Sequence, residues 1–298
     1  MTEGCVHMSE HVSESDRFLQ ALTRRNAAAY LLGTRPDAIL LTGSAATGHS
    51  DFYSDLDLIL YYHDLPSADM ARYVCDRLGG SQFAPLGQRT ENGFADHYFL
   101  HGVECQVAHT PIRRWEEDMS KVLDQSDVTP HLQKAMQGLV EGVPLHGESL
   151  INKWKERATH YPDSLAQAVI EHHADFVPMW KIRDQMIARD ARLWLSQVCV
   201  ETAYNILGVL AGLNRVYYST FQFKRMRELV EKMRFTPPNL ADRIDNLFNG
   251  DLRGALDDLW LLVRETMSLV RTHAPDVPTD PRWLEPNDQK QPWTPGLL

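Results

Sequence analysis

One short stretch of the sequence, LLTGSAATGHSDFYSDLDLIL at residues 40–60, limits what the chain can fold into more than any other. Its second half alternates polar and apolar residues, which is typical of a strand with one buried face. In such a strand Asp55 and Asp57 point to the same side, with backbones roughly 7 Å apart. A turn of small residues, Gly43-Ser44, lies shortly before them. Since neighbouring carboxylates repel each other, the stretch predicts either a cation-binding site or a solvated edge strand.

The residue types of this stretch suit metal and phosphate together. Magnesium prefers oxygen ligands, often one or two carboxylates plus substrate phosphates. Gly43 has no Cβ, so a phosphate can come close to its backbone. Ser44 offers a hydroxyl and can cap a following helix, whose N-terminus attracts anions. The turn matches neither GxxxxGK[ST] nor GxGxxG, so the stretch predicts a shorter phosphate cradle that faces a metal-binding pair.

The stretch GSAATGHSDFYSDLDL resembles the nucleotidyltransferase superfamily that includes DNA polymerase beta, and its small antibiotic-modifying branch most of all. The family motif is a hydrophobic residue, Gly, then Gly or Ser, a gap, and Asp-hydrophobic-Asp/Glu-hydrophobic. Gly43-Ser44 and Asp55-Leu56-Asp57-Leu58 match it, while Thr42 is a mild departure at the hydrophobic position. The resemblance implies that Gly43 and Ser44 hold the phosphates of a nucleoside triphosphate, with ATP expected. It also implies that Asp55 and Asp57 hold magnesium, as two ions.

The resemblance further implies a third carboxylate on a later strand. FADHYFL and VECQVAH flank His101-Gly102, which predicts a compact hairpin. In its second strand Glu104 and Gln106 share one face, and an acid in an otherwise apolar strand is costly without a partner. Glu104 is the best match: it would bind the second metal or accept the proton of an attacking hydroxyl. Asp96, in the first strand, is the rival candidate.

The order of the predicted elements gives an α+β fold with two modules. We predict an N-terminal mixed-sheet nucleotidyltransferase domain at 1–125, an all-α helical bundle at 126–272 and a Pro-rich tail at 273–298 that is not regular. The segment EGVPLHGES is one of the predicted breaks between helices. The predicted elements of the first domain are helices at 14–33 and 67–79, strands at 37–43 and 54–62, the hairpin around His101-Gly102, and a helix that Pro111 opens.

The helical part resembles, in layout, the domain that closes over nucleotide and acceptor in aminoglycoside and lincosamide nucleotidyltransferases. Its informative segment is AGLNRVYYSTFQFKRMRELVE at 211–231. Lys224 stands at the predicted start of a helix, where a cation opposes the helix dipole unless it faces an anion. We therefore predict Lys224 to be a ligand of the triphosphate. Weaker candidates, for the phosphates or the base, are Arg225, Asn214, Tyr217 and Tyr218.

Charge and composition narrow the partners. With 40 acidic and 30 basic residues the formal net charge is −10, which disfavours general nucleic-acid binding and suits a cationic small molecule. The four cysteines form no CxxC pair, and no signal peptide is recognised, so a cytoplasmic protein with reduced thiols is expected. The apolar stretch 193–213 contains polar residues that are costly in lipid, and we predict a buried central helix there rather than a membrane span.

The expected activity is a magnesium-dependent nucleotidyl transfer. A nucleoside monophosphate, AMP from ATP, would move to a hydroxyl of a small molecule such as an aminoglycoside-like antibiotic, with release of pyrophosphate. Two alternatives stay open: nucleotidylation of a protein or an RNA, as in toxin–antitoxin relatives, and a non-catalytic nucleotide-binding sensor. The acidic balance weakens the RNA alternative. The sequence leaves the acceptor and the oligomeric state undetermined.

Overall fold

The computed structural model describes residues 13–219, 224–249 and 251–280, with the backbone alone at 179–182 and 252. The end of the predicted tail, 281–298, lies outside these residues. The chain divides into two compact units, one comprising 1–120 and 138–160, the other 121–137 and 161–298. The sequence-based boundary at 125 treats the domains as contiguous, whereas here 138–160 returns to the first unit.

The first unit is built on a six-stranded mixed sheet with strand order β3-β4-β5-β2-β1-β6. β2 and β5 run parallel, and every other neighbouring pair is antiparallel. The elements that lie wholly or partly in this unit are α1 (Glu14–Gly33), β1 (Ala38–Thr42), α2 (Ser44–Thr47), β2 (Leu56–Tyr62), α3 (Ala68–Leu78), β3 (Ser81–Pro85), β4 (Phe94–Leu100), β5 (Val103–Pro111), α4 (Ile112–Gln125), α5 (Pro130–Glu141), β6 (Val143–His146) and α6 (Glu148–Thr159).

Local sequence signals account for most of these elements. Ser13 caps α1 by accepting a hydrogen bond from the backbone N–H of Asp16, and Gly79 ends α3 in the left-handed conformation. The predicted helix at 14–33, the strands in 37–43 and 54–62 and the hairpin are confirmed. Asp55 itself precedes β2 by one residue instead of lying within the strand.

Two edge strands escaped the sequence-based prediction. The break between helices predicted at EGVPLHGES is present, between α5 and α6, but it contains the strand β6, which was not predicted. Pro144 lies in β6 opposite Leu40 of β1 and cannot donate to the ladder, which is tolerated in an edge strand. β3 is mostly exposed and pairs with β4 through a register shift. Both strands are defined by their partners more than by their own sequences.

The two faces of the sheet differ in what covers them. On one face α1 and α3 cover a continuous apolar layer, which includes Leu56, Leu58, Leu60, Tyr98, Cys105 and Val107. On the other face Tyr61 packs against Trp115 of α4 and Trp154 of α6, with ring centroids 5.8 and 4.8 Å away. Further along the same strand, Asp57 is only half-buried. We call the face that α1 and α3 cover the closed face, and the face that carries Tyr61 and Asp57 the open face.

All regular elements in the described part of the second unit are helices, which confirms the α+β class with a helical second half. Beyond the portions of α4 and α5 that belong to it, they are α7 (Asp163–His173), α8 (Met179–Ala188), α9 (Arg192–Leu213), α10 (Met226–Glu231), α11 (Leu240–Asn246) and α12 (Leu252–His273).

The predicted central helix is α9, which packs against α7, α8 and α12. Within the described ranges it is the one helix long and apolar enough to cross a membrane, and 56% of its most apolar window is buried inside the structure. At Gly208 of α9 an added Cβ would overlap the buried imidazole of His173, so this histidine is a packed core residue. Burial lowers the His173 pKa to about 4. The prediction of a core helix at 193–213 is confirmed.

Candidate active site

The Gly43-Ser44 turn and Asp57 are in direct contact. Thr42, the last residue of β1, is the register partner of Asp57 in β2. Gly43 follows with a φ of +70°, a conformation that side-chain-bearing residues rarely adopt. A Cβ at position 43 would overlap the Asp57 carboxylate. The glycine is therefore required by its backbone conformation and also by the carboxylate that lies against it.

Ser44 occupies a different position from the one its sequence suggests. We expected its side chain to cap the helix that follows, but Ser44 is the first residue of the four-residue helix α2. The capping residue is Gly43, and no side chain caps α2. The half-buried Ser44 stays next to the contact between Gly43 and Asp57.

Three strands bring polar residues into one row on the open face. Asp57 of β2 is the register partner of Gln106 in β5, and Gln106 is the register partner of His97 in β4. Register partners on neighbouring strands share a face and lie roughly 5 Å apart. The Gln106 amide Nε2 also donates to Oδ2 of Asp55 at 3.4 Å, so Asp55 reaches the same face. Both motif carboxylates thus lie at the open face, as the alternation predicts.

Glu104 lies on this face too, next to the row. It shares the face with Gln106, two residues along β5, and its Oε1 accepts a hydrogen bond from Nδ1 of His97 at 2.7 Å. The side chain of His97 is 25% exposed and that of Glu104 is 29% exposed. The face that Glu104 was predicted to share with Gln106 is the one that carries Asp57.

The rival carboxylate, Asp96, points the other way. It lies on the closed face and is 3% exposed. Its Oδ2 is 3.6 Å from Nε2 of the fully buried His109. Burial raises the Asp96 pKa to about 6, against the opposing effect of Arg89, and burial together with Arg89 lowers the His109 pKa to about 3. The sheet itself separates Asp96 from Asp57.

The donor set of the open face suits a hard cation, although it is not assembled as a closed metal centre. Asp55, Asp57 and Glu104 supply carboxylate oxygens, the ligands that magnesium prefers. Because Gly43 has no side chain, the Asp57 carboxylate can lie against its backbone. Within residues 13–219, 224–249 and 251–280 no group of three or more His, Cys, Asp and Glu side chains is close enough together to hold a metal ion. Magnesium is often bound by one or two carboxylates together with substrate phosphates, and Asp55 and Asp57 are residues of that type.

The other residues that were predicted as ligands lie in the helical unit. Lys224 is exposed and lies in a short turn directly before α10, close to the helix start that the sequence predicts. Arg225 forms an ion pair with Glu228 at 3.2 Å. The side chain of Asn214 is hydrogen-bonded to the backbone. It donates to the carbonyls of Leu210 and Phe235 and accepts from two backbone N–H groups.

Tyr217 and Tyr218, the weaker candidates for base binding, are core residues of the helical unit. They are 5% and 3% exposed, and the Tyr218 hydroxyl donates to the carbonyl of Tyr204 at 2.9 Å. Side chains packed this way offer no open ring face for a base.

Sequence reasoning overlooked His97, Phe52 and Tyr53. The alternation of FADHYFL places His97 on the face opposite Asp96, and that pattern was sufficient to find it. Phe52 and Tyr53 are 83% and 95% exposed, although Asp51 holds their turn through bonds from the Tyr53 N–H and the Ser54 hydroxyl. No periodic pattern marks residues in such a turn.

Comparisons with known proteins add little to this geometry. No protein-family model matches the chain, and no curated protein matches it. Among solved structures, the chain is similar to a nucleotidyltransferase-like protein from Exiguobacterium sibiricum 255-15. The two are 11% identical, and the match covers 85% of this chain and 77% of that one with a TM-score of 0.39. A likeness this distant carries no argument, so the functional conclusion depends on the residues.

Proposed function

We propose that the protein is a magnesium-dependent nucleotidyltransferase. It would move a nucleoside monophosphate, AMP from ATP, onto a hydroxyl of a small molecule and release pyrophosphate. The observation that carries the proposal is the position of the Asp57 carboxylate, which lies against Gly43. The turn that the family resemblance assigns to phosphates thereby adjoins the carboxylate that it assigns to the metal.

The roles follow from the chemistry of the open face. Asp55 and Asp57 would hold magnesium, and of the two roles left open for Glu104, second metal ligand or proton acceptor, we propose the second. When bound, magnesium offsets the charge of the triphosphate and stabilises the attacking and leaving oxygens. The Gly43-Ser44 turn would hold the phosphates beside Asp57, with the Ser44 hydroxyl donating a hydrogen bond to them. Holding both substrates in line would supply much of the rate enhancement.

In the transfer itself, the acceptor oxygen attacks the α-phosphorus in line. The bond from the α-phosphorus to the oxygen that bridges to the β-phosphate breaks, and its electron pair leaves with pyrophosphate. The acceptor proton passes to Glu104, the carboxylate at the edge of the polar row. Lys224 is our proposed additional ligand of the triphosphate.

The acceptor that we propose is a cationic small molecule of the aminoglycoside type, which would make the protein a resistance enzyme of the cytoplasm. The formal net charge of −10 supports a cationic partner over a nucleic acid.

The test is a transfer assay with each of the four labelled nucleoside triphosphates, magnesium, and a panel of aminoglycosides, lincosamides, tRNA and protein extract. Labelled small molecule is expected. Asp55→Asn and Asp57→Asn should each lower transfer about 10³-fold, because each removes a charge from the site. The matched control is Asp64→Asn, an exposed carboxylate just beyond the other end of β2, and it should transfer like the parent. Full activity in Asp57→Asn would overturn the assignment; label on protein alone would favour a protein acceptor.

A further inference from the structure

His97 and Glu104 form a short side-chain contact on the open face. The 2.7 Å bond runs diagonally between β4 and β5, since His97 is the register partner of Gln106 and Glu104 that of Phe99. Diagonal neighbours lie within reach of long side chains. The Phe99 ring lies on the same face, edge-on to the imidazole at 6.4 Å between centroids.

Stability alone is a weak reason for this pair. Both side chains are about a quarter exposed, and polar contacts between side chains at such exposure contribute little to folding. A chain that needs only a polar surface on β4 could use any hydrophilic residue there. The pair instead engages one carboxylate oxygen of the residue assigned the acceptor's proton.

Resting on the proposed function, we propose that His97 is a positioning residue for the transfer. Its Nδ1–H donates to Oε1 of Glu104 and fixes the direction of the carboxylate before substrates arrive. Hydrogen bonds to functional carboxylates commonly act in this way, and their loss costs activity although the partner residue touches no substrate. His97 thus acts through Glu104, and Glu104 acts on the acceptor hydroxyl.

Two substitutions separate the hydrogen bond from the shape of the side chain. His97→Phe keeps a ring of similar size but has no donor, whereas His97→Asn keeps an N–H donor near the position of Nδ1. We expect His97→Phe to lower kcat about 10- to 100-fold with the nucleotide KM within about twofold of the parent. His97→Asn should recover kcat to within about threefold of the parent.

The matched control is His63→Phe. His63 also pairs with a carboxylate, Asp37 at 2.9 Å, but just beyond the opposite end of β2 from Asp57. It should leave kcat and KM unchanged. In the Glu104→Gln background, His97→Phe should lower kcat no further, because residues that act as one unit are not additive.

A second readout needs no activity. Crystal structures of the metal-free variants should show the Glu104 carboxylate in a different rotamer in His97→Phe and in the parental rotamer in His97→Asn. Parental kcat in His97→Phe, an unmoved carboxylate in that variant, or a His97→Asn variant as slow as His97→Phe would each overturn the proposal. Were the parent itself inactive with every acceptor, the proposed function would fail, while the crystal structures would still decide whether His97 holds Glu104.

Discussion

The two faces of the β4–β5 hairpin each carry a histidine and a carboxylate, yet in opposite environments. On the closed face Asp96 and His109 are buried at 3.6 Å, beneath α1 and α3. On the open face His97 and Glu104 are partly exposed at 2.7 Å, near Asp57. Strand alternation alone puts neighbouring residues of the same hairpin into these two settings.

The comparison teaches that a perturbed pKa does not by itself locate a reaction site. Strongly shifted pKa values often mark functional groups. Here the Asp96 and His109 shifts arise first from burial, in a layer that also holds the Tyr62 hydroxyl at 3.1 Å from Nδ1 of His109. The open face is identified by other means: an oxygen-rich row, partial exposure, and a glycine that a carboxylate requires.

The strongest test of the comparison removes one carboxylate charge from each face. Glu104→Gln should lower kcat at least about 100-fold, the usual scale of a lost proton acceptor. Asp96→Asn should keep kcat within about twofold, because the sheet separates Asp96 from Asp57. Steady-state transfer kinetics measure both, with circular dichroism as the check on folding. A larger loss in Asp96→Asn than in Glu104→Gln would reverse the assignment of the two faces.

The next test concerns the glycine at the open face. Gly43→Ala should lower transfer about 100-fold, since its Cβ displaces the Asp57 carboxylate, and should cost about 1–3 kcal/mol of unfolding free energy through backbone strain. Gly48→Ala is the matched control: Gly48 has a φ of +73°, but nothing lies within 4 Å of an added Cβ. Gly48→Ala should lower the unfolding free energy by a similar amount and keep most of the transfer activity. Equal loss of transfer in both variants would mean that strain, not Asp57, sets the effect.

A third test uses pH on the closed face. The Asp96 pKa is raised from 3.8 to about 6, so its favourable contribution to stability is complete below about pH 3.8 and is lost as pH rises through 6. Asp96→Asn cannot ionise and avoids that loss. Its unfolding free energy relative to the parent should therefore rise by about 2 kcal/mol between pH 4 and pH 8.

His109 changes stability with pH in the opposite direction. With its pKa lowered to about 3, it contributes stability above about pH 6.5 that is lost as pH falls. The parent and Asp96→Asn share this contribution, so the difference between their unfolding free energies should follow the ionisation of Asp96. Denaturant unfolding at each pH measures this, and parallel pH curves for the two proteins would contradict it.

The smallest expected effect lies in the helical unit. Lys224→Ala should raise the nucleotide KM about threefold with kcat nearly unchanged, the scale of one exposed charge contact. Lys153→Ala, an exposed lysine of α6, should leave KM at the parental value. An unchanged KM in Lys224→Ala would remove Lys224 from the site and leave the open face intact.

Much of this architecture could be predicted from local patterns. The alternation in 54–62 and in the hairpin predicts β2, β4 and β5. It also predicts that Glu104 and Asp96 lie on opposite faces of the sheet. The GS turn and the two aspartates are recognisable from their spacing. β3 and β6 could not be predicted, because their short edge strands depend on β4 and β1 for their hydrogen bonds.

The sequence by itself determined the residue types, their alternation and hence the side of each strand on which a carboxylate lies, because side-chain direction repeats every two residues along one strand. The tertiary structure decided which other strands are neighbours and in what register. That register set Gln106 beside Asp57 and laid the Asp57 carboxylate against Gly43. No tight turn connects the strands that meet in these two contacts, so no local pattern encodes them, whereas the contact of His97 with Glu104 lies within the predicted hairpin.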